Sequence, residues 1–296
     1  PVDRAKRARH YKDRPPKTAL HRRDKQNTKM SELLNLAIKA AISAGGEIMK
    51  FYSSNSQALK VCLKDDSSPL TSADLAANEV ILKELSKSGI KICSEESIFQ
   101  DSDKNEFWLV DPLDGTKEFL ARNGEFCVCI ALIKEARPVL GVIFIPVSKE
   151  LFYADENGAF KEILGANDEV VARQDLNEKA KSLNNFIYSS RRGEIKKVEL
   201  IRDSLNLEQK CIGSAIKFCR LVELGGIYVR FSPSYLWDNA AGEAVVKFSG
   251  GKVLNASDRC EPSYKLADLK SPFYVAFGKN ALSLEDEVFK LIEQGR

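Results

Sequence analysis

An apolar run, Trp108-Leu109-Val110, leads without a break into Asp111-Pro112-Leu113-Asp114-Gly115-Thr116. A chain that ends a strand this way is expected to turn tightly and to bring two carboxylates toward one point. Pro112 restricts the turn and removes a backbone donor. Gly115 lets the backbone come close to a ligand. Two like charges about 4 Å apart cost on the order of 4 kcal/mol at an effective dielectric near 20. The fold must offset that repulsion with a proton or a cation. Hard oxygen donors with no histidine or cysteine in the segment favour Mg²⁺ over Zn²⁺. The N–H groups of Gly115 and Thr116, at an expected helix start, are then available to a phosphate oxygen.

Three other places concentrate carboxylates beside turn residues: Asp65-Asp66-Ser67-Ser68-Pro69-Leu70-Thr71-Ser72-Ala73-Asp74, Ser94-Glu95-Glu96-Ser97 and Trp237-Asp238. Each falls at an expected strand end or helix start, where sites are commonly built. Each also has a purely structural reading. Asp74 and Asp238 suit helix N-caps, Glu95 and Glu96 suit solvated loop charges, and Asp111 with Asp114 suits an Asx turn. Their joint occurrence, in this order, is what favours a shared site.

The 296 residues are long enough for one large domain or two smaller ones. Hydrophobic content of 44% and charged content of 29% are ordinary for a globular chain. There is no apolar run of transmembrane length and no secretory h-region. The net charge of +3 is unevenly placed: residues 1–29 carry eleven Lys and Arg against three Asp, and the remainder carries 34 against 39. Residues 1–29 also hold both histidines and almost no apolar residues, so a disordered basic extension before a start at Met30 is expected, with no function assigned. The seven cysteines are odd in number and form no CxxC, which fits reduced thiols in a cytoplasmic protein. Cys127 and Cys129 should share one strand face; a soft-metal role for them lacks further ligands.

Helical spacing predicts helices over Ser31–Tyr52, with Ser31 as N-cap, and Asp74–Ser86. Strands are expected at Ile90–Cys93, Phe107–Val110, Phe126–Ile133 and Val139–Pro146. Asn157-Gly158 predicts a hairpin joining Leu151–Ala154 to Ala159–Ile163. Residues 164–184 are polar and suit a boundary between an N-terminal α+β unit, 30–165, and a C-terminal α/β unit, 166–296. In that second unit, strands at Phe186–Ser189 and Ile227–Phe231 alternate with helices at Lys196–Leu205, Ala215–Leu224 and Asn239–Phe248. Such alternation argues for α/β layers.

The segment Trp108 to Phe119, with Lys117-Glu118-Phe119 following the acidic motif, resembles the signature of the inositol-monophosphatase-like superfamily. The Lys-Glu-Phe continuation resembles the 3'(2'),5'-bisphosphate nucleotidases of bacterial sulfur assimilation in particular. Arg122 to Phe126, Ser68 to Asp74, Ser94-Glu95-Glu96, Gly213 to Cys219 and Trp237 to Gly242 continue the likeness, which spans roughly residues 31–278.

The resemblance implies a layered αβαβα sandwich and a Mg²⁺-dependent phosphomonoesterase. Glu95, Asp111, Asp114, the carbonyl of Leu113 and Asp238 would ligate the metal. Asp74 and Thr116 would orient and deprotonate the attacking water. Gly115 and Thr116 would donate N–H groups to the scissile phosphate, and Asp238, Ser214 and Lys217 would lie toward the nucleotide. Relatives often carry Ser-Arg-Ser-His where this chain has Ser189-Ser190-Arg191-Arg192. An arginine there, Arg191 above all, could hold a second phosphate by charge-assisted bonds, or both could be solvated. The implied substrate is adenosine 3',5'-bisphosphate, with 3'-phosphoadenylyl sulfate as a second, and lithium is the implied inhibitor. An inositol or sugar phosphatase on the same scaffold is the alternative, and a degenerate Mg²⁺- or nucleotide-binding regulator a further one. No nucleic-acid partner is assigned, oligomeric state is left open, and the expected location is cytoplasmic, with peripheral association at the inner membrane's cytoplasmic face left open.

Overall fold

The computed structural model describes residues 17–53, 60–63, 69–99, 105–178, 185–191 and 195–295, with backbone alone for 17–28. Residues 1–16, Asp65 to Ser68 and Arg192, all named above, lie outside the described residues.

A short antiparallel ribbon pairs β1 (Val61–Leu63) with β2 (Pro69–Thr71). A seven-stranded sheet then follows chain order: β3 (Ile92–Ser94), β4 (Glu106–Asp114), β5 (Cys127–Lys134), β6 (Arg137–Ile145), β7 (Glu150–Asp155), β8 (Gly158–Leu164) and β9 (Val170–Asp175). The β3–β4 pair is parallel and the other pairs are antiparallel. The second sheet contains β10 (Phe186–Ser189), β11 (Glu208–Cys211), β12 (Ile227–Arg230), β13 (Lys252–Asn255) and β14 (Tyr274–Phe277), in the order β11-β10-β12-β14-β13. The helices are α1 (Lys17–Ser53), α2 (Ser72–Leu85), α3 (Thr116–Leu120), α4 (Ile195–Ser204), α5 (Ile216–Leu224), α6 (Leu236–Phe248) and α7 (Glu285–Gln294).

Side-chain alternation explains how these elements stack. On β5, Val128, Ile130 and Leu132 face α1 and α2, where Ala37, Ala41, Ala77 and Ile81 are buried with them. Cys127, Cys129, Ala131 and Ile133 face the other way and join Phe218, Ala240, Ala241 and Val245 of α5 and α6. Both faces are covered, so the strand reads as a continuous apolar run. The second sheet repeats the pattern. Tyr188, Tyr228 and Tyr274 face α5 and α6, while Ile187, Val229 and Val275 meet Ile201 of α4 and Val288 and Phe289 of α7. The stack is helix, sheet, helix, sheet, helix, the αβαβα sandwich expected from the resemblance. α6 lies so close to β6 that a Cβ on Gly141 would sit 2.5 Å from the Ala241 carbonyl oxygen.

An ionic brace joins α5 to the large sheet. Glu150 on β7 accepts from Arg220 at 2.9 and 2.6 Å and pairs with Lys161 on β8 at 2.6 Å. Burial would push the Glu150 carboxyl up, but Arg220, Lys161 and Ser148 outweigh it and hold it down at about 2.

Two boundaries differ from expectation. α1 begins at Lys17 rather than at Ser31, so Ser31 lies inside a helix and caps nothing. The basic residues of that stretch are compatible with a helix, although they carry no apolar periodicity that could announce one. The large sheet continues through β9, ten residues past the expected boundary at 165, because an exposed polar strand still satisfies its backbone by pairing with β8. The hairpin at Asn157-Gly158 forms as expected, with Asp155 opposite Gly158 and Gly158 at φ 129°.

Candidate active site

The segment Asp111 to Asp114 is the end of β4 and not a free turn. Asp111 pairs with Cys129 and Asp114 with Cys127, so three steps on β4 oppose two on β5. That extra residue is a β-bulge. In a regular strand, residues three apart point to opposite faces. The bulge restores both aspartates to the face shared by Cys127 and Cys129. Pro112 sits within the irregularity, where its missing N–H costs the ladder nothing. Leu113 turns its side chain into the opposite core, and its N–H donates to Asp111 Oδ1 at 3.0 Å. The Asx-type bond therefore exists alongside the convergence.

Glu95 reaches the same place through register. β3 pairs parallel with β4 up to Ser94 opposite Val110, and the Glu95 N–H donates to the Val110 carbonyl at 3.0 Å. Glu95 thus follows the strand end beside Asp111. Asp238 comes from the other half of the chain, on the first turn of α6, and its Oδ2 accepts the Tyr235 N–H at 3.0 Å. Asp74 occupies the equivalent place on α2. Its Oδ2 accepts the Thr71 N–H at 2.8 Å and the Thr71 hydroxyl at 2.5 Å. The helices start at Ser72 and Leu236, with Thr71 and Tyr235 in the capping positions. The expectation that Asp74 or Asp238 serves as an N-cap is thereby corrected: both lie three residues further in, reaching back to the cap backbone.

Glu95, Asp111, Leu113, Asp114, Gly115, Thr116 and Asp238 line one cavity of about 610 Å³. At its edge the Thr116 hydroxyl donates to Asp74 Oδ1 at 3.2 Å and also lies 3.3 Å from the Leu113 carbonyl. Gly115 has φ 95°, and a Cβ there would meet the Glu125 carbonyl oxygen at 2.9 Å, so only glycine fits.

The electrostatics match a cation site. Burial pushes the Asp111 carboxyl well above the usual range, and Glu95, Asp114 and Asp238 push it the same way. Burial raises Asp114 to about 6 despite Lys217, the Ala215 N–H and Arg230. Burial and then Asp114 raise Asp238 to about 7, against Arg230. Burial also raises Asp74, against the bonds from Thr71. Clustered carboxylates in this state are strained as anions, and a divalent cation relieves the strain. Asp114, Cys127 and Cys129 also bring donor atoms within 4.8 Å of one another. The Cys127 contact, followed by burial, holds the Cys129 thiol well above its ordinary value, which favours its protonated form. The oxygen donors fit Mg²⁺, and the Cys127 thiol lies 3.9 Å from Asp114 Oδ2.

The remaining expected residues are placed differently. Ser214 packs behind Gly115, 3.2 Å from where a Cβ would be. Lys217 is buried and donates to the carbonyls of Ile212 and Ser214 at 3.0 and 2.6 Å, so it braces that loop beside Asp114. The loop is fixed further by the Ala215 N–H, which donates to Asp114 Oδ2. Arg191 forms a two-pronged ion pair with Glu125, which also accepts the Gly213 N–H at 2.6 Å. Ser214, Lys217 and Arg191 are not on the cavity wall described above. Sequence reasoning missed Thr71, whose spacing to Asp74 is a capping-box signal. It also missed Arg230, which binds Ser190 Oγ and the carbonyls of Ser232 and Pro233 beside Asp114 and Asp238. Nothing short of the tertiary fold points to Arg230.

A model of the inositol monophosphatase family matches residues 29–282. The chain belongs to the inositol monophosphatase family. Within the inositol monophosphatase family, it is 39% identical over 248 residues to the Buchnera aphidicola protein named 3'(2'),5'-bisphosphate nucleotidase CysQ, covering 78% of this chain and 87% of that one. It is 37% identical over 229 residues to the Salmonella typhimurium protein of the same name, covering 75% and 89%. Among solved structures it is similar to CysQ from Bacteroides thetaiotaomicron, described as a bacterial member of the inositol monophosphatase family. That similarity has a TM-score of 0.72 at 35% identity, covering 86% of this chain and 98% of that one.

Proposed function

We propose that this chain is a Mg²⁺-dependent 3'(2'),5'-bisphosphate nucleotidase that releases phosphate from adenosine 3',5'-bisphosphate to leave AMP. The convergence of Glu95, Asp111, Asp114 and Asp238, from three separate elements, on one cavity carries this reading. The similarity to nucleotidases named CysQ supports the choice of substrate. 3'-Phosphoadenylyl sulfate is the second substrate in this proposal, and a role in sulfur assimilation follows from either.

The four carboxylates and the Leu113 carbonyl would hold Mg²⁺, which supplies charge neutralisation for the phosphate and acidifies the attacking water. The chain's own groups do the rest. The Thr116 oxygen holds the water in line with the phosphorus. Asp74 Oδ1 accepts the Thr116 hydroxyl, so a proton leaving the water is passed by Thr116 to Asp74. Thr71 pins the other Asp74 oxygen and leaves Oδ1 aimed at Thr116. The N–H groups of Gly115 and Thr116 open α3 without acceptors of their own in that helix and would donate to the phosphate oxygens. Ser214 backs Gly115 from behind the cavity wall, and Lys217 holds its loop. Arg191 would touch substrate only by exchanging Glu125 for it.

No helix among the described residues is long and apolar enough to cross a membrane. A cytoplasmic location is part of the proposal, as is a division into two units, each centred on one sheet. Lithium is proposed to inhibit in competition with Mg²⁺. One assay tests the whole reading: phosphate release from adenosine 3',5'-bisphosphate, inositol 1-phosphate and fructose 1,6-bisphosphate, with and without Mg²⁺. Release should be fastest from the adenosine substrate and require the ion. Faster release from inositol 1-phosphate would overturn the nucleotide assignment.

A further inference from the structure

The bulge of β4 sets Asp114 over two thiols of β5 that the proposed reaction does not use. Cys127 Sγ is 3.8 Å from Cys129 Sγ and 3.9 Å from Asp114 Oδ2. Read along the sequence, this thiol pair has no third ligand. The fold supplies one, because the carboxylate joins the two sulfurs in a single cluster of donor atoms. Among the described residues, no other cysteine belongs to such a cluster.

The spacing of the sulfurs is that of a tetrahedral soft-metal site. Two thiolates on one Zn²⁺, each bonded at about 2.3 Å, stand about 3.8 Å apart. The carboxylate lies somewhat wider than a bonded oxygen would and needs to swing toward the sulfurs. Alternation along β5 puts both sulfurs on one face, and both are buried. Asp114 lines the cavity, so an ion reaches the sulfurs by way of its carboxylate. Ser214 Oγ, 3.6 Å from Cys127 Sγ, is within reach as a fourth donor. Mg²⁺ gains little from sulfur, whereas Zn²⁺ takes thiolate and carboxylate together. A bound ion displaces each thiol proton to solvent, so no oxidant or reductant is involved. An ion that draws Asp114 into this set removes it from the Mg²⁺ ligands.

We propose that Cys127, Cys129 and Asp114 form a binding site for a thiophilic divalent ion, Zn²⁺ above all, and that its occupation inhibits the enzyme by withdrawing Asp114 from Mg²⁺. The inhibition rests on the Mg²⁺-dependent reading above; the binding does not. The first arm of the test therefore uses no substrate. Reduced, metal-free protein is titrated with Cd²⁺, read by thiolate-to-cadmium absorption in the ultraviolet, and with Zn²⁺ against a chromophoric chelator. Wild type should bind one Cd²⁺ through a pair of thiolates. Cys127→Ala and Cys129→Ala should each lose that paired absorption and bind Zn²⁺ about a hundredfold more weakly, the share of one ligand in a zinc site. Any absorption left in both variants belongs to the exposed Cys62, Cys211 and Cys260. The second arm follows phosphate release from adenosine 3',5'-bisphosphate. Zn²⁺ should inhibit wild type, less so as Mg²⁺ is raised. Both variants should keep their release in Mg²⁺ alone and tolerate about a hundredfold more Zn²⁺. Melting curves show whether each variant folds; should either fail, the other variant and the wild-type titration decide. A wild-type titration without paired thiolate absorption overturns the proposal whatever the variants do. Equal Zn²⁺ inhibition of wild type and both variants overturns it too, since the ion would then sit on the other carboxylates alone. If no phosphate is released even in Mg²⁺, the nucleotidase reading falls, while the first arm still decides the site.

Discussion

Thr116 Oγ1 donates to Asp74 Oδ1 across 3.2 Å, although 42 positions separate the two residues in the chain. The bond joins the first turn of α2 to the first turn of α3. Asp74→Asn keeps the shape of the side chain and its bonds from Thr71 in part, but removes the proton acceptor. Turnover should fall about 10²- to 10⁴-fold, the range for a general base, with the melting temperature shifted by no more than loss of a cap bond allows, about 1 kcal/mol. Stopped-time phosphate release and thermal melting measure the two. Near wild-type turnover would remove Asp74 from the mechanism.

The carboxylate cluster should make function and stability pull against each other. Without cations, Asp238→Asn relieves repulsion from Asp111 and Asp114 and should raise the melting temperature, by about 1 kcal/mol in stability. Wild type should gain about 2.7 kcal/mol when Mg²⁺ is a hundredfold above its dissociation constant. The variant should gain little. Melts in EDTA and in Mg²⁺ check both directions, and a variant still stabilised by Mg²⁺ would take Asp238 out of the ligand set.

Packing between the middle helix and the large sheet should be as demanding as the chemistry. At Gly141 an added methyl meets the Ala241 carbonyl oxygen at 2.5 Å and the Ala244 Cβ at 2.6 Å. Gly141→Ala should cost about 1–3 kcal/mol by overpacking. The displaced α6 carries Asp238, so the Mg²⁺ concentration for half-maximal activity should also rise. Denaturant unfolding and a Mg²⁺ titration test this, and an unchanged titration would separate the helix position from the site.

Acid stability should depend on Glu150. Its carboxyl titrates at about 2 in the fold against an ordinary 4.5, through Arg220, Lys161 and Ser148 acting against burial. A lowered carboxylate contributes stability above the ordinary value and loses it as pH falls toward the folded one. The contribution, about 3 kcal/mol, should therefore disappear between pH 4.5 and about 2. Glu150→Gln should lower stability near neutrality and flatten the curve over that window. Chemical denaturation at several pH values compares the slopes.

Local signals were legible where the chain decides its own conformation. Asn157-Gly158 is such a case, and so is β10, whose expected span is the observed one. The acidic residues were legible as a group because their chemistry needs neighbours. Their geometry was less so. The bulge at Pro112 and Leu113 depends on the register of β5, which no property of Asp111 to Asp114 reveals. Thr71, three residues before Asp74, carried a cap signal that an isolated reading of Asp74 overlooks. Arg191 is partnered by Glu125, 66 positions away. Pairings of that range belong to the tertiary fold.

α6 lies with α5 between the two sheets, and the carboxylate on its first turn lines the same cavity as the aspartates at the bulge of β4. A divalent ion shared by Asp238 and the β4 aspartates would act as a rivet through the whole stack. Withdrawing it would loosen the two sheets as a pair, so hydrogen exchange should quicken in the five-stranded sheet as well as around the ion.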